Sequence, residues 1–147
     1  MSALKIDAIT EADVEPVVAL WQRCGLTRPW NDPHADIALA RRRDNSTILL
    51  GRDNGAIVAT VMVGHDGHRG WGYYVAVDPD SRKRGYGRVI MAAAEDWLRA
   101  AGILKLQLLV RRGNEQANAF YQSLGFEEST SVMFQKWIDG RTTTPSN

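Results

Sequence analysis

Residues 4–9 set Leu4, Ile6 and Ala8 against Lys5 and Asp7, a period-two pattern that predicts a short strand. The next apolar positions, Val14, Val17, Val18, Leu20 and Trp21, follow helical spacing. Two starts fit this helix. Thr10 as cap leaves Pro16 in the second turn; Asp13 as cap puts Pro16 in the first turn, where its missing N–H costs nothing. Gly25 ends the helix. Asp32-Pro33 opens another, with Asp32 as cap and Pro33 at the first helical position, running to about Arg43. Two β-rich runs, 47–52 and 56–63, flank Asp53-Asn54-Gly55 and predict a hairpin. A polar turn over 64–70 leads into a further strand at 71–77.

Asp78-Pro79 closes that strand. A basic stretch with two glycines, Ser81-Arg82-Lys83-Arg84-Gly85-Tyr86-Gly87, opens into a helical pattern carried by Val89, Ile90, Ala93, Trp97 and Leu98 and stopped at Gly102. Residues 104–110 are almost continuously apolar, as in a strand buried on both faces. Residues 114–124 read as a helix with Gly125 as its stop, and Phe126 and 131–137 as the last strands. This order predicts an α/β (α+β) fold with a central mixed, mostly antiparallel sheet of about six to seven strands and about four helices. No repeat or linker interrupts it. A single domain over 1–138 is expected, with a frayed tail at 139–147.

Composition narrows the function. The 147 residues carry a net charge of +1, 44% hydrophobic and 24% charged residues. That near-neutral balance argues against a nucleic-acid or membrane-surface partner. No apolar run approaches the roughly 20 residues of a membrane-spanning helix, and the first residues lack a signal-peptide core. Cys24 is the one cysteine, and no Cys/His cluster has zinc spacing, so no metal is expected. The cytoplasm is the expected compartment.

The most informative segment runs from Val75 to Gly87. A strand feeds a glycine-bearing loop that becomes a helix N-terminus, where free N–H groups and the helix dipole favour an anion. Read alone, it also fits a basic turn before a surface helix. It is not a dinucleotide fingerprint, since Ile90 stands where a glycine is needed, and it lacks the Gly-Lys-Ser/Thr ending of a P-loop. As a whole, Arg82-x-x-Gly85-x-Gly87 behind Val75-x-Val77 and Pro79 resembles the acetyl-CoA pyrophosphate loop of the GNAT superfamily of N-acetyltransferases. Asn114-x-x-Ala117-x-x-x-Tyr121-x-x-x-Gly125-Phe126 resembles the C-terminal GNAT motif, and the element order matches over roughly residues 4–137. Within that superfamily, Arg28-Pro29-Trp30-Asn31-Asp32-Pro33, Asp66-Gly67-His68-Arg69-Gly70 and Tyr73-Tyr74 are similar to a YpeA-like bacterial branch.

The resemblance implies acetyl transfer from acetyl-CoA to a primary amine by direct attack through a tetrahedral intermediate. It implies a sheet splayed between the strands at 71–77 and 104–110, with the pantetheine arm in the gap. Val77 would pair with the arm, and the Val75 N–H would face the thioester carbonyl and then the oxyanion. Arg82 and Lys83, with the amides of Arg84, Gly85, Tyr86, Gly87 and Arg88, would hold the pyrophosphate. Asn114 matches a position that contacts the cofactor arm. Tyr121 matches the general acid that protonates the departing thiolate; read alone, it also fits a core aromatic four residues before Gly125.

The two places where family members carry a basic Glu hold Leu109 and Trp71 here. The nearest polar candidates lie in the turn His65-Asp66-Gly67-His68-Arg69, where a water chain ending on Asp66 or His68 could take the proton; the same residues fit a plain hairpin turn. Trp30, Asn31, Asp32, His65 and Tyr73 are the expected acceptor-site residues, with Trp30 and Asp32 suited to a cationic amine. Asp32 as N-cap and Trp30 as a hydrophobic plug are the alternatives. Expected partners are a small-molecule or peptide amine, and a homodimer is compatible with the sequence. A non-catalytic acyl-CoA sensor and a nucleotide-binding adaptor are the competing classes.

Overall fold

The structure, a computed structural model, describes residues 4–141. It falls into two compact units, Met1–Leu108 and Leu109–Asn147. In the first, β1 (Lys5–Ala8), β2 (Ser46–Asp53), β3 (Ala56–His65) and β4 (Gly70–Val77) are antiparallel neighbours, and β5 (Leu106–Gln107) runs parallel to β4. The sheet is therefore mixed and mostly antiparallel. At the β2–β3 turn Asn54 and Gly55 both take positive φ, 50° and 86°, as a tight hairpin requires.

The strand count differs from expectation. Five strands form among the described residues, not six to seven. The apolar run 104–110 pairs only at Leu106 and Gln107. No ladder includes 126–137, where Val132 and Phe134 are 75% and 93% exposed. Apolar alternation becomes a strand only with a hydrogen-bonding neighbour and a covered face.

Both start signals of the first helix are used. Thr10 donates its N–H and its hydroxyl to Asp13 Oδ2, each at 2.9 Å, across a 3-10 turn at Glu11–Asp13. Helix α1 (Val14–Arg23) then begins behind Asp13. Arg52 joins this corner to the sheet, 2.9 Å from Asp13 and 3.2 Å from Asp7. Burial alone would raise the Asp13 carboxyl, but the Thr10 amide and the Arg52 guanidinium outweigh it and hold it below the usual range. Helix α2 (Pro33–Arg41) starts as its sequence predicts, with Asp32 accepting from the His34 and Ala35 amides at 2.9 and 3.3 Å. It ends at Arg41, which pairs with Glu11 at 2.7 Å.

Helices α1 and α2 cover one face of the sheet, packing Val17, Leu20, Trp21 and Ile37 on Ile48, Leu50 and Ala76. Strand alternation turns Leu49, Val61 and Val63 to the other face, where α3 (Tyr86–Ala100) lies on β3 and β4 and buries Ile90, Met91, Ala94 and Leu98. Trp21 is fully buried; Trp71, Trp97 and Trp137 are only partly so.

In the second unit α4 (Glu115–Ser123) is capped by Asn114, whose side chain accepts from the Ala117 amide at 3.1 Å. Gly125, at φ 95°, ends it. Arg141 lies over the Trp137 ring at 3.8 Å and pairs with Asp139. The rest of the expected tail, 142–147, lies outside the described residues.

Candidate active site

Strand β4 is irregular where the sequence places its chemistry. Tyr73 pairs with Met62 and Ala76 with Thr60, so Tyr74 and Val75 together oppose Val61 alone. This is a β-bulge. Tyr74 takes φ 51°, a left-handed conformation that for a bulky residue costs about 1–3 kcal/mol. Its ring stacks on Trp21, centroids 3.8 Å apart and planes 7° from parallel. Its phenol donates to Asp36 at 2.7 Å, and its carbonyl accepts from the Thr60 hydroxyl at 2.9 Å. Burial, then Asp36 and Asp32, push this phenol well above the usual range, so it stays protonated.

Beyond Trp71 and Gln107 the β4–β5 ladder stops, although β4 continues to Val77. Val77 faces Ala59, and Asp78 N–H donates to the Val58 carbonyl at 2.8 Å. That bond marks Val77 as a non-hydrogen-bonded pair with Ala59, so its N–H and C=O point away from β3. The Cys24 thiol donates to this carbonyl at 3.3 Å. Burial pushes the thiol up despite the Arg82 charge beside it.

The loop after β4 is tightly shaped. Asp78 accepts from the Asp80 amide at 3.0 Å and caps a 3-10 turn at Pro79–Ser81. Lys83 and Gly85 both take left-handed φ, 67° and 78°. Gly85 is the N-cap of α3, and a Cβ there would meet nothing within 4 Å. The glycine is thus needed for its φ, and the space above it is open. The first helical amides, those of Tyr86, Gly87 and Arg88, precede the first i to i−4 bond, from Val89 to Gly85. Arg82, Lys83, Arg84 and Arg88 are exposed. The Tyr86 side chain is buried and its hydroxyl donates to Asp53 at 2.8 Å, so its amide, the group expected to meet the anion, is the part of Tyr86 left at the start of α3. Arg84 lies 3.7 Å from the same carboxylate.

Within the second unit, Tyr121 lies edge-on to Phe120 and Phe126, with centroids 5.0 and 5.7 Å away. Burial pushes its phenol up to about 12. The Asn114 carbonyl oxygen is engaged as the α4 cap.

Near the other helices, Asp32 is an N-cap and Asn31 is exposed. Arg28 fastens the α1–α2 connection that carries Trp30, bonding the Gly25 and Thr27 carbonyls at 2.7 and 2.9 Å. Tyr73 is exposed beside Trp71, rings 6.4 Å apart.

The 65–69 turn is held by its own side chains. Asp66 Oδ1 accepts from the His68 and Arg69 amides at 2.9 and 2.8 Å, and those bonds hold its carboxyl below the usual range. His65 Nδ1 accepts from the Gly67 amide at 3.1 Å. The turn closes the His65–Gly70 pair, whereas the bulge opposes Val61, four residues further along β3 and about 13 Å away in an extended strand. The structure does not bring Asp66, His65 or His68 to the bulge. They shape a hairpin.

Three residues at the bulge escaped the sequence reading: Thr60, Trp21 as a hydrogen-bond donor, and Asp36. One signal was available, since Thr60 is the polar residue inside the apolar run Val58-Ala59-Thr60-Val61.

The sequence profile of the acetyltransferase (GNAT) family matches residues 6–126. The chain belongs to the GNAT family. An acetyltransferase of Yersinia enterocolitica is 39% identical over 133 residues, spanning 90% of this chain and 94% of the relative. The ribosomal-protein-S18-alanine N-acetyltransferase of Escherichia coli superposes with a TM-score of 0.72 at 26% identity, covering 86% of this chain and 79% of that one. The aminoglycoside N-acetyltransferase AAC(6')-Iy, solved in complex with CoA, shares the fold with a TM-score of 0.77 at 19% identity, covering 94% and 97%. This GNAT chain is thus an acetyltransferase. Its glycine loop at 82–87 and the Asn114-to-Phe126 motif both lie within the matched span.

Proposed function

We propose that this enzyme transfers the acetyl group of acetyl-CoA to a primary amine by direct attack. The observation that carries the reading is the open edge of β4, which stops pairing after Trp71, passes the bulge and leads into the left-handed loop at Gly85. An extended pantetheine arm suits such an edge, since it can bond to Val77 as an added strand would. The α3 N-terminus and the Arg82–Arg84 charges suit the pyrophosphate.

The Val75 N–H is the donor for the oxyanion. As the amine nitrogen bonds to the acetyl carbon, negative charge moves to the carbonyl oxygen, and a fixed N–H there is worth a few kcal/mol. The intermediate then collapses with cleavage of the C–S bond. Tyr121 supplies a proton to the departing thiolate. Its phenol, pushed up to about 12, keeps that proton at neutral pH. The acceptor side is the α1–α2 connection with Trp30, Asn31 and Asp32. Asp32 and Asp36 both act on the Tyr74 phenol, so negative charge gathers beside the bulge and draws a cationic amine. The amine's proton leaves to water, since Leu109 and Trp71 occupy the positions of a basic residue.

The same absence of a carboxylate supports a second reading, a sensor that binds acyl-CoA without turnover. CoA release measured over a panel of small amines, polyamines, lysine peptides and peptide N-termini separates the two. Release with one class is expected. Saturable acetyl-CoA binding without release from any class establishes the sensor, and no binding overturns both.

A further inference from the structure

We propose that the Thr60 hydroxyl is a positioning group that aims the Val75 N–H out of the sheet toward the open edge of β4. The inference rests on the reading of Val75 as oxyanion donor and adds the residue that sets its direction.

The Tyr74 carbonyl and the Val75 N–H belong to one peptide unit, and no peptide bond in the described chain is cis. In a trans unit the two groups point in opposite directions. Thr60, on β3, holds the Tyr74 carbonyl at 2.9 Å. The Val75 N–H therefore points away from β3, to the side where β4 has lost its ladder. A bulge would otherwise leave this unit without a regular partner, because Tyr74 and Val75 share a single opposing residue.

Thr60 is built for this task. It is fully buried between Ala59 and Val61, where a valine would serve a strand equally well. A hydroxyl in such a place must be satisfied, and it is satisfied twice. It accepts from Trp21 Nε1 at 2.9 Å and donates to Tyr74. Trp21 thereby fixes the direction of the hydroxyl proton: with the indole N–H occupying a lone pair, the O–H is turned to the carbonyl. The stacked Trp21 ring and the Asp36 bond hold the Tyr74 side chain, so backbone and side chain of the left-handed residue are restrained together.

The test compares Thr60→Val, which keeps the shape, with Thr60→Ser, which keeps the hydroxyl. Circular dichroism checks the fold, titration gives the acetyl-CoA affinity, and ¹⁵N–¹H spectra follow the Val75 amide without ligand. Thr60→Val should hold acetyl-CoA within about threefold of wild type, shift the Val75 amide and lower kcat about tenfold to a hundredfold, with KM for the amine little changed. Thr60→Ser should restore both the amide position and kcat to within about threefold. A folded Thr60→Val with wild-type kcat and an unmoved Val75 amide overturns the proposal. If Thr60→Val does not fold, Thr60→Cys, a weaker donor of similar shape, carries the same expectations. Should the wild type acetylate no amine at all, the transferase reading fails, and the Val75 amide comparison still decides the role of Thr60.

Discussion

Tyr121 lies edge-on to two phenylalanine rings, and burial pushes its phenol up to about 12. A positioned acid of this kind contributes roughly 10²-fold to turnover. Tyr121→Phe should lower kcat by about that factor and leave the acetyl-CoA affinity unchanged, as single-turnover kinetics and titration would read. Turnover within a factor of two, on an amine whose chemistry limits the rate, would make Tyr121 a packing residue. The raised phenol also has a stability sign. In the unfolded chain it ionises near its ordinary value of 10 and in the folded chain near 12. Its contribution to stability is therefore complete below pH 10 and lost as pH rises from there through about 12. Tyr121→Phe should flatten the alkaline arm of the unfolding curve over that interval. Asp13 has the opposite sign. Its lowered carboxyl stabilises the fold above the ordinary carboxylate range and loses that contribution as pH falls through its folded pKa. Asp13→Asn should cost about 1.5–3 kcal/mol at neutral pH, through weakened hydrogen bonds to Arg52 and Thr10. In denaturant titrations the gap from wild type should narrow below about pH 4; an equal gap at pH 3 and pH 7 would remove the carboxylate charge as its cause.

Elements were legible in the sequence where their signals are local. Asp32-Pro33 names the start of α2, Asn54-Gly55 the hairpin and Gly85 the start of α3, because a cap or a left-handed residue acts within a few positions. Features set by distant partners were not legible. The bulge depends on Thr60, which meets Trp21 across 39 positions, and on Asp36, which meets Tyr74 across 38. The place of the 65–69 turn was not legible for a related reason: it adjoins β4 in sequence but lies at the Gly70 end of the strand, while Val75 lies near the other. The strand expected at 104–110 failed because an apolar run does not reveal where its partner diverges; two ladder pairs are all that form. The loop and its helix offer a clean test at this scale. Gly85 sits at φ 78° with open space beside it, and aspartate tolerates left-handed backbone better than most residues. Gly85→Asp should keep the fold yet abolish the thermal stabilisation by acetyl-CoA, because its carboxylate would stand where the pyrophosphate approaches. Retained stabilisation would place the phosphates elsewhere. Gly70→Ala tests the α3–β4 contact: its Cβ would lie 2.5 Å from Leu98 Cδ1. Overpacking there should cost about 1–3 kcal/mol of unfolding free energy, and a neutral result would show that Leu98 repacks freely.

For the whole molecule, a ligand that binds only the folded chain stabilises it by mass action. At a concentration of 100 Kd, acetyl-CoA should add about 2.7 kcal/mol to unfolding. A melting temperature unmoved at saturation would remove acetyl-CoA as the ligand. The open edge of β4 has one more consequence, and it concerns chains meeting each other. Past Gly72, as far as Val77, the strand offers edge groups that no neighbouring strand takes up among the described residues. Unpaired edges are templates on which another polypeptide can add by the same bonds. An arm bonded to Val77 would therefore also act as a cover against such addition. Concentrated enzyme stored without acetyl-CoA should scatter more light over time than enzyme kept with it, and Val77→Pro, which deletes the N–H on that edge, should slow the association while weakening the cofactor. The opening that admits one partner has to be kept from others, and the cofactor would itself be the guard.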